Sequence, residues 1–410
     1  MSNINKLKIF NDPIYGFITI PNSLIYDLIQ HPYFQRLRRI SQMGLSYLVY
    51  PGAHHTRFHH AIGAMHMMQK AVEVLRFKEV QISKEEENAL YIAILLHDIG
   101  HGPYSHAMEH SIVEVHHEEV SLFFMNQLNA EFEGQLSLAI QIFKGEYHRK
   151  FMLQLISSQL DMDRMDYLKR DSFYSGVAEG NINSDRLIQM LNVMDDVLVM
   201  EEKGIYSIEK FLMARRLMYW QAYLHKTSLV AELTLTKTLQ RAKELLHKGI
   251  DVECSRPLKY FMEHKITPDN FSNDDLNTFA QLDDSDIVSA LKNWQFHEDF
   301  ILSSLSKMII NRDLSKIKLN SEKFPAEVLE AMTVRFSKEN NITQQEAKYF
   351  IFKGKIKNQA YSKDAEPIRI LKKDKTIEDV VEASDQLNLK ALSKPVTKYF
   401  ICYPKQLEEF

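Results

Sequence analysis

The chain has 410 residues, of which 45% are apolar and 25% charged, and its formal net charge of -4 excludes a general attraction to polyanions. Two cysteines exclude a disulfide framework, and no apolar run approaches the roughly 18 residues that cross a bilayer. Because the start also lacks the layout of a signal peptide, we expect a cytoplasmic protein with no membrane partner. The net charge of -4 gives no reason to expect a nucleic-acid partner.

Apolar residues that recur at three and four positions predict helices through most of residues 1–250. The clearest of these predicted helices have the sequences ALYIAILLHDIG, DRLIQMLNVMDDVLVM and AELTLTKTLQRAKELLHKGI. By contrast, YGFITI and KGIYSI have the composition of a small hairpin or an edge strand. After about residue 250, polar stretches alternate with short apolar runs, and PVTKYFICY has strand-like composition. We therefore predict a mainly α fold, with a helical domain over residues 1–250 and a smaller mixed α/β C-terminal lobe over residues 251–410.

Histidine is concentrated in one part of the chain, since 11 of the 17 histidines lie between His54 and His117. Histidine is the commonest metal ligand in proteins, and the stretch LLHDIGHGPYSH places a His-Asp pair, His97 and Asp98, at the end of a predicted helix. This pair needs further ligands from elsewhere in the chain to hold a cation. The neighbouring motifs leave these alternatives open: His59 or His60 in RFHHAIG, and Asp161, Asp163 or Asp166 in LDMDRMDYLKRD. Such a mixed set of ligands predicts a divalent metal ion, one of Mn, Fe, Mg, Co, Ni or Zn.

Two further stripes of side chains have helical spacing. Asp163, Tyr167 and Asp171 recur at i, i+4 and i+8, which places a carboxylate, a phenol and a second carboxylate on one helix face. The second stripe consists of Arg215, Tyr219, Tyr223 and Lys226. An aromatic core with snorkelling ends explains its tyrosines but leaves its two cations without partners, so a phosphate-binding face is the alternative.

Several separated motifs occur in the order that one known family has. These motifs are KIFNDPIYG, HPYFQRLRRISQMG, PGAHHTRFHHAIG, HDIGHGPYSHAME, HHEE and DMDRMDYLKRD. Together they resemble the HD-domain dNTP triphosphohydrolase family, from about Lys8 to Lys226. The resemblance implies a helical HD-domain core and hydrolysis of a dNTP to deoxynucleoside and triphosphate by attack at the α-phosphorus. Attack at the γ-phosphorus by a P-loop enzyme is not expected, because no GxxxxGK[ST] motif is present.

The resemblance also implies roles for individual residues. The metal ligands would be His60, His97, Asp98 and Asp163. The general acid would be His117, oriented by Glu109, with His101 and His106 near the α-phosphate. Phosphate contacts would come from Arg57, Arg164, Arg215 and Lys226, the sugar and base region would be lined by Tyr167 and Tyr223, and the 3′-hydroxyl would be bonded by Gln42 and Asp171. Two positions depart from one family member, which has aspartate at Glu109 and histidine at Tyr219.

By the same resemblance, a regulatory nucleotide site would contain Lys8, Asn11, Gln35 and Arg38, with Gln30 in place of an aspartate that reads guanine. We therefore expect a dNTP as substrate, an activating nucleotide, and a homo-oligomer, either a dimer or a tetramer.

Two alternatives stay open. An HD-domain phosphohydrolase that acts on another nucleotide or phosphate ester would share the metal ligands without needing Arg215 and Lys226. The segment 353–375 carries eight Lys or Arg against three acids, which would suit a regulator that binds nucleic acid, although such segments are usually solvated faces.

Overall fold

The computed structural model describes residues 8–109, 111–362, 366–385, 389 and 392–407, and over these residues the fold is mainly α. The helices that precede residue 250 are α1 (Ser23–Gln30), α2 (Pro32–Gln35), α3 (Arg57–Phe77), α4 (Lys84–Leu96), α5 (Ser105–Glu109), α6 (His117–Glu131), α7 (Ser137–Phe143), α8 (Lys150–Ile156), α9 (Met162–Ser175), α10 (Ser184–Gln189), α11 (Ile205–Met218) and α12 (Lys226–His247). The later helices are α13 (Arg256–Glu263), α14 (Asn273–Phe279), α15 (Asp284–Trp294), α16 (Phe300–Ile310), α17 (Ala326–Glu339), α18 (Gln344–Ala347) and α19 (Val380–Ala383).

The strands are short and form three small sheets among the described residues. They are β1 (Ile9–Asp12), β2 (Gly16–Thr19), β3 (Leu191–Met194), β4 (Val197–Glu201), β5 (Lys316–Asn320), β6 (Phe352–Asn358), β7 (Arg369–Leu371), β8 (Ile377–Asp379) and β9 (Val396–Tyr403). Short 3₁₀ turns lie at Arg36–Arg39, Gly44–Leu48, Ala178–Gly180, Glu202–Gly204, Pro268–Asn270 and Lys405–Leu407, and a π-helical turn lies at Tyr219–Tyr223.

Three helices bring distant parts of the sequence together, because α3 packs against both α4 and α9. A capping box starts α4, in which the Glu86 amide donates to Ser83 Oγ over 3.1 Å and the Ser83 amide donates to Glu86 Oε2 over 2.8 Å. The Asp161 carboxylate caps α9 by accepting the Arg164 amide over 2.7 Å, and Gly176 ends that helix in a left-handed conformation. The helix predicted over ALYIAILLHDIG is therefore confirmed, and it ends just before its His-Asp pair.

The helix predicted over residues 185–200 is wrong beyond Gln189. Asp195 and Asp196 both have positive φ, +50° and +60°, so the chain reverses there in a tight turn. The flanking residues pair as the antiparallel strands β3 and β4. The strand predicted over KGIYSI is also wrong, since α11 begins at Ile205. The hairpin predicted at YGFITI is confirmed, because β2 pairs with β1.

The part after residue 250 has the predicted mixed α/β character. Strands β5, β9 and β6 form an antiparallel sheet in that order, and β9 confirms the strand predicted at PVTKYFICY. Strands β7 and β8 extend the β3–β4 hairpin into a four-stranded sheet. One hydrophobic core also contains residues from both sides of position 250, for example Leu96 before it and Trp294 after it. The division into domains at residue 250 stays a prediction.

The basic segment noted in the sequence forms part of β6. Lys353, Lys355 and Lys357 occupy every second position of this strand, and their side chains are exposed. Strand β6 lies at the edge of its sheet. Lysines on an edge strand discourage pairing with other chains, which is a structural explanation for their positions. Within the described parts of the chain, every helix is too short or too polar to span a bilayer.

Candidate active site

The four side chains implied as metal ligands converge where α3, α9 and the end of α4 meet. Asp163 Oδ1 lies 3.1 Å from His60 Nε2 and 3.4 Å from His97 Nε2. Asp98 completes the cluster, with Oδ1 3.5 Å from His97 Nε2 and Oδ2 3.8 Å from His60 Nε2. Both imidazoles are buried, so two histidines and two carboxylates from three separate parts of the sequence surround one small volume.

This donor set fits a divalent cation. His60 Nδ1 is hydrogen-bonded to Asp166 Oδ2 over 2.8 Å, and His97 Nδ1 is hydrogen-bonded to the Ile94 carbonyl over 2.6 Å. Both Nε2 atoms therefore face the cluster, and among the described residues neither has a hydrogen-bond partner. Ligating histidines are usually oriented in this way by a bond from the second ring nitrogen, and two imidazoles with two carboxylates suit borderline metals.

The electrostatics of the cluster reflect strong attraction between rings and carboxylates. Burial disfavours a charged His60, but attraction to Asp163 and Asp166 outweighs it and raises the pKa of His60 to about 10. Burial would also raise the pKa of the Asp163 carboxyl, but contacts with His60 and His97 hold that pKa below its usual range. Asp163 is therefore ionised at neutral pH, as a metal ligand must be.

The structure also separates the alternatives that the sequence left open. His59 points to the start of α3, where its Nδ1 accepts the Thr56 amide over 3.2 Å. Asp161 is the cap of α9, and Asp166 contacts the outer nitrogen of His60. Of the alternatives that the sequence left open, His60 and Asp163 are therefore the two side chains that face His97 and Asp98.

A second group of polar side chains lies beside the first and forms a hydrogen-bonded chain. His101 Nδ1 and Ser105 Oγ are 2.8 Å apart, and Ser105 Oγ donates to Glu109 Oε1 over 2.8 Å. The same Glu109 oxygen is 3.0 Å from His117 Nδ1. At its other end, His101 Nε2 lies 3.3 Å from Asp98 Oδ1. The side chain of His106, which was expected near this group, lies outside the described residues.

The ring geometry of this second group does not suit a cation held by both histidines. The rings of His101 and His117 are stacked, with centroids 3.9 Å apart and planes 16° apart. Nitrogen lone pairs lie in the ring plane, so those of parallel stacked rings do not converge on one ion. Burial raises the pKa of Glu109, but hydrogen bonds from His117 and Ser105 outweigh it and lower that pKa to about 2.

The ionised Glu109 fixes the direction of each bond in the chain, because a carboxylate can only accept. Ser105 must donate its single hydroxyl proton to Glu109, so the contact with His101 requires the Nδ1–H of that ring as donor. Burial and repulsion from Arg57 lower the pKa of His101 to about 3, which keeps the ring neutral. Ser105 thus favours the proton on Nδ1 of His101, whereas the Asp98 carboxylate beside Nε2 favours it on that nitrogen. The sequence motifs did not single out Ser105.

Replacing Ser105 by alanine is expected to lower kcat by about tenfold with little change in KM, because one hydrogen bond to an ionised group is worth about 1.5 kcal/mol. Ser105→Thr keeps the hydroxyl and should restore most of the rate. Ser111→Ala is the matched control, since among the described residues the Ser111 hydroxyl bonds the Ala107 carbonyl and no group of the site. An unchanged kcat and pH profile in Ser105→Ala would contradict the assigned hydrogen bonds.

Both groups open into one cavity of about 570 Å³. The residues of the predicted site that line this cavity are Gln42, Arg57, His97, Asp98, His101, His117, Asp163, Arg164, Tyr167, Asp171 and Tyr223. The cavity is large enough for a small-molecule ligand of nucleotide size. Its lining residues come from the early loops and from helices α3 to α12, so the site exists only in the folded chain.

Two arginines lie at the metal end of the cavity. Arg57 Nη1 donates to Asp98 Oδ2 over 2.6 Å, and Arg164 Nη1 lies 3.6 Å from Oδ2 of both Asp161 and Asp163. The buried Nε atoms of both arginines have no hydrogen-bond partner among the described residues, so each keeps a donor for a ligand. Arg215, also expected at the phosphates, does not line the cavity and donates to the Ala360 carbonyl over 3.2 Å.

Tyr167, Tyr223 and Asp171 also line the cavity. Tyr167 and Tyr223 are in edge contact with ring centroids 6.2 Å apart. Both oxygens of Asp171 are engaged, one with His55 Nε2 at 2.6 Å and the other with the Tyr223 hydroxyl at 2.7 Å. His55 is therefore a member of the site that sequence reasoning missed, although the histidine-rich window contained it. Gln42 Oε1 is buried and without a partner among the described residues.

Lys226 does not share a face with Arg215, Tyr219 and Tyr223, as the spacing had suggested. The π-helical turn Tyr219–Tyr223 widens the helix, and His225 then caps a new helix by accepting the Thr227 amide over 3.2 Å. Lys226 consequently turns away from the main cavity. It lines a separate cavity of about 260 Å³, which also contains Arg312, Lys316 and Lys405.

Glu232 lines the main cavity and was not singled out from the sequence. Burial and repulsion from Glu109 raise its pKa to about 7. Its protonated form is therefore favoured by folding, and the stability that this gives is present below pH 4.5 and is lost as the pH rises through 7.

Glu232→Gln is expected to increase the free energy of unfolding at pH 8 by roughly 1 to 2 kcal/mol, a value reduced for solvent in the cavity. Near pH 4 the two proteins should be equally stable, because Glu232 is then uncharged in both states. Chemical denaturation across this pH range measures the difference. An equal effect at pH 4 and pH 8 would show that repacking, and not ionisation, is responsible.

The residues implied in a regulatory site lie near the β1–β2 hairpin. The Lys8 ammonium lies 4.5 Å from the Tyr26 ring centroid, and the Arg38 guanidinium lies 3.6 Å from that of Phe58. Arg38 Nε also donates to Gln35 Oε1 over 2.9 Å. Asn11 is exposed on β1, so these residues form a partly polar surface apart from the catalytic cavity.

Comparisons with known proteins agree with this geometry. The sequence pattern of the HD domain matches residues 57–171, and that of the HD associated region matches residues 182–256. The uncharacterized protein YwfO of Bacillus subtilis is 35% identical over 320 residues, which are 76% of this chain and 72% of that protein. A solved structure of a phosphohydrolase from Bacteroides thetaiotaomicron is 52% identical with a TM-score of 0.94, and the match covers 97% of this chain and 100% of that one.

A more distant relative has a named activity. The deoxynucleoside triphosphate triphosphohydrolase SAMHD1 of Homo sapiens is 26% identical over 334 residues, which are 70% of this chain but only 51% of that protein. The HD pattern spans all four clustered ligands, from His60 on α3 to Asp163 on α9. The chain therefore belongs to the HD-domain phosphohydrolases, and the SAMHD1 enzymes are more distant relatives.

Proposed function

We propose that this protein hydrolyses deoxynucleoside triphosphates to deoxynucleoside and triphosphate. The observation that carries the proposal is the cavity of about 570 Å³, whose lining brings together metal ligands, His101 and His117, two arginines, tyrosines and Asp171. A nucleotide needs the same mixture of partners, because it joins charged phosphates to a sugar and an uncharged ring system. The similarity to SAMHD1 supports the choice of substrate.

The ligands His60, His97, Asp98 and Asp163 would hold a divalent cation, which supplies Lewis-acid chemistry and activation of water when bound. Arg57 and Arg164 neutralise charge that develops on the phosphates, through the donors that the protein leaves unused. Because these groups are fixed beside the cluster before the ligand enters, they need no reorganisation during the reaction.

His117 is the group that donates a proton to the departing 5′-oxygen. Its Nδ1 is bonded to the ionised Glu109, which orients the ring and leaves Nε2 free to face the leaving group. Tyr167 and Tyr223 line the sugar and base region, where Gln42 and the Asp171 carboxylate bind the 3′-hydroxyl. Since the Tyr223 hydroxyl and His55 already bond Asp171, the carboxylate is held rigidly for this contact.

Product analysis tests the proposal directly. The purified chain is incubated with each dNTP and each NTP in the presence of Mn²⁺, Mg²⁺ or Co²⁺, and the products are separated by ion-exchange chromatography. Inorganic triphosphate and deoxynucleoside in equal amounts are the expected products. Release of orthophosphate instead would support an HD-domain phosphohydrolase that acts on another nucleotide or phosphate ester.

Regulation and assembly are proposed on the same family likeness. We expect a homo-oligomer, and we expect a nucleotide bound near Lys8, Asn11, Gln35 and Arg38 to increase the rate. Light scattering with and without added dGTP measures the mass, and initial rates under the same conditions measure activation. A monomer whose rate does not respond to any nucleotide would contradict this part of the proposal.

A further inference from the structure

A chain of buried ionic hydrogen bonds connects the β1–β2 hairpin to the metal-ligand cluster. Asp12 Oδ2 accepts from Arg170 Nη1 over 2.8 Å, and Arg170 in turn donates to Asp166 through Nε over 2.9 Å and through Nη2 over 3.0 Å. The next contact joins Asp166 Oδ2 to His60 Nδ1 over 2.8 Å. Arg170, Asp166 and His60 are fully buried at 0% exposure and Asp12 is 7% exposed.

The hairpin is built to hold Asp12 in one orientation. While Oδ2 of Asp12 faces Arg170, Oδ1 accepts the amides of Ile14 and Tyr15 over 2.9 and 3.0 Å and so closes the turn. The Tyr15 ring lies over Arg170, with 5.5 Å between the guanidinium carbon and the ring centroid. The turn residues therefore fix both Asp12 and one face of the arginine.

Helix α3 makes room for this contact at a single position. Gly63 lies one helical turn after His60, and a Cβ atom there would lie only 2.1 Å from both Arg170 Nη2 and Asp166 Oδ1. Only glycine allows the guanidinium and the carboxylate to approach α3 so closely. This close approach of α9 to α3 allows Asp166 to reach the His60 ring. Gly63 is therefore needed for the ionic chain to form.

We propose that Asp12 is a positioning residue for the metal centre, and that the β1–β2 hairpin controls cation affinity through Arg170, Asp166 and His60. This inference rests on the proposed metal-dependent function. Arg170 divides its donors between two carboxylates, and without Asp12 its charge acts on Asp166 alone. Asp166 then has a weaker hold on Nδ1 of His60, whose Nε2 must face the cation. Loss of such supporting contacts typically weakens metal binding about 10- to 100-fold.

The hairpin thereby gains a role beyond its own small sheet. Its exposed strand residue Asn11 lies next to the buried Asp12, so opposite faces of β1 meet solvent and the ionic chain. A ligand or a second subunit that shifted β1 would act on the metal centre through Asp12.

The test uses the full chain freed of metal and titrated with Co²⁺ alone, with heat of binding and protein-bound cobalt as readouts. Asp12→Asn is the informative variant, because its amide oxygen still closes the turn while the ion pair to Arg170 is lost. We expect about 10- to 100-fold weaker Co²⁺ binding at unchanged stoichiometry. Asp27→Asn, which changes an exposed aspartate on α1, is the matched control and should bind as the wild type does.

Arg170→Lys gives a second reading if Asp12→Asn does not fold, because lysine keeps the charge but cannot bond both carboxylates in the same way. It should weaken Co²⁺ binding in the same direction. Folded variants that bind Co²⁺ within about twofold of the wild type would overturn the inference. A wild-type chain that binds no divalent cation would instead overturn the proposed function, so the two failures are distinguishable.

Discussion

Asp163→Ala is expected to lose both cation binding and hydrolysis. The Asp163 carboxylate contacts both buried Nε2 atoms, so its removal leaves two histidines and one carboxylate that no longer surround one point. A bound metal ion contributes several kcal/mol to stabilising a phosphoryl transition state, which corresponds to a loss of roughly a thousandfold in rate or more. Metal content after dialysis and kcat/KM measure the two effects on the same sample.

Asp185→Ala serves as the control for Asp163→Ala, since Asp185 is an exposed aspartate that pairs with Lys70 on the surface. This control should keep its metal and its rate. Retention of one cation per chain by Asp163→Ala, together with near wild-type turnover, would show that the cluster of four side chains is not the metal centre.

His117→Ala has the second-largest expected effect, a loss of about 100- to 10,000-fold in kcat, because general acid catalysis contributes this much. Cation binding by the four clustered ligands should not change, because the His117 ring stacks on His101 and is not one of those four side chains. The rate with bis(p-nitrophenyl) phosphate should fall much less, since nitrophenolate leaves without a proton. This difference between substrates separates a proton donor from a residue that only stabilises the fold.

His116→Ala is the matched control for the proton donor, because His116 is an exposed neighbour whose ring is 4.4 Å from that of His117. It should keep most of the activity with both substrates. An equal loss with dNTP and with the nitrophenyl ester in His117→Ala would refute the assignment of the general acid.

The sequence was sufficient for the features that depend on local spacing. The helical periodicity placed Asp163, Tyr167 and Asp171 on one face of α9, and the apolar run placed the His97 and Asp98 pair at the end of α4. Side chains four positions apart on a helix are neighbours whatever surrounds them, so such stripes can be read directly. The motif order then sufficed for the family, because it matched several separated segments.

Local spacing failed where the backbone leaves regular geometry. Periodicity predicted a helix through residues 185–200, but two consecutive aspartates with positive φ reverse the chain at Asp195 and Asp196. The same limit applied to Lys226, which the π-helical turn rotates away from the cavity that Tyr223 lines. Apolar residues at three- and four-residue spacing do not distinguish a short hairpin from a helix that lies in the core.

The sequence by itself determined the helical fold class, the residue types of the metal centre and the family. Only the tertiary structure decided that His60 and Asp163 face the His-Asp pair, that Ser105 joins His101 to Glu109, and that Asp12 reaches His60 through Arg170. The physical reason is that residues a few positions apart determine which side chains share a helix face. Which faces then contact each other depends on packing between segments far apart in the chain. Asp12 and Arg170 are 158 positions apart, and no local pattern relates them.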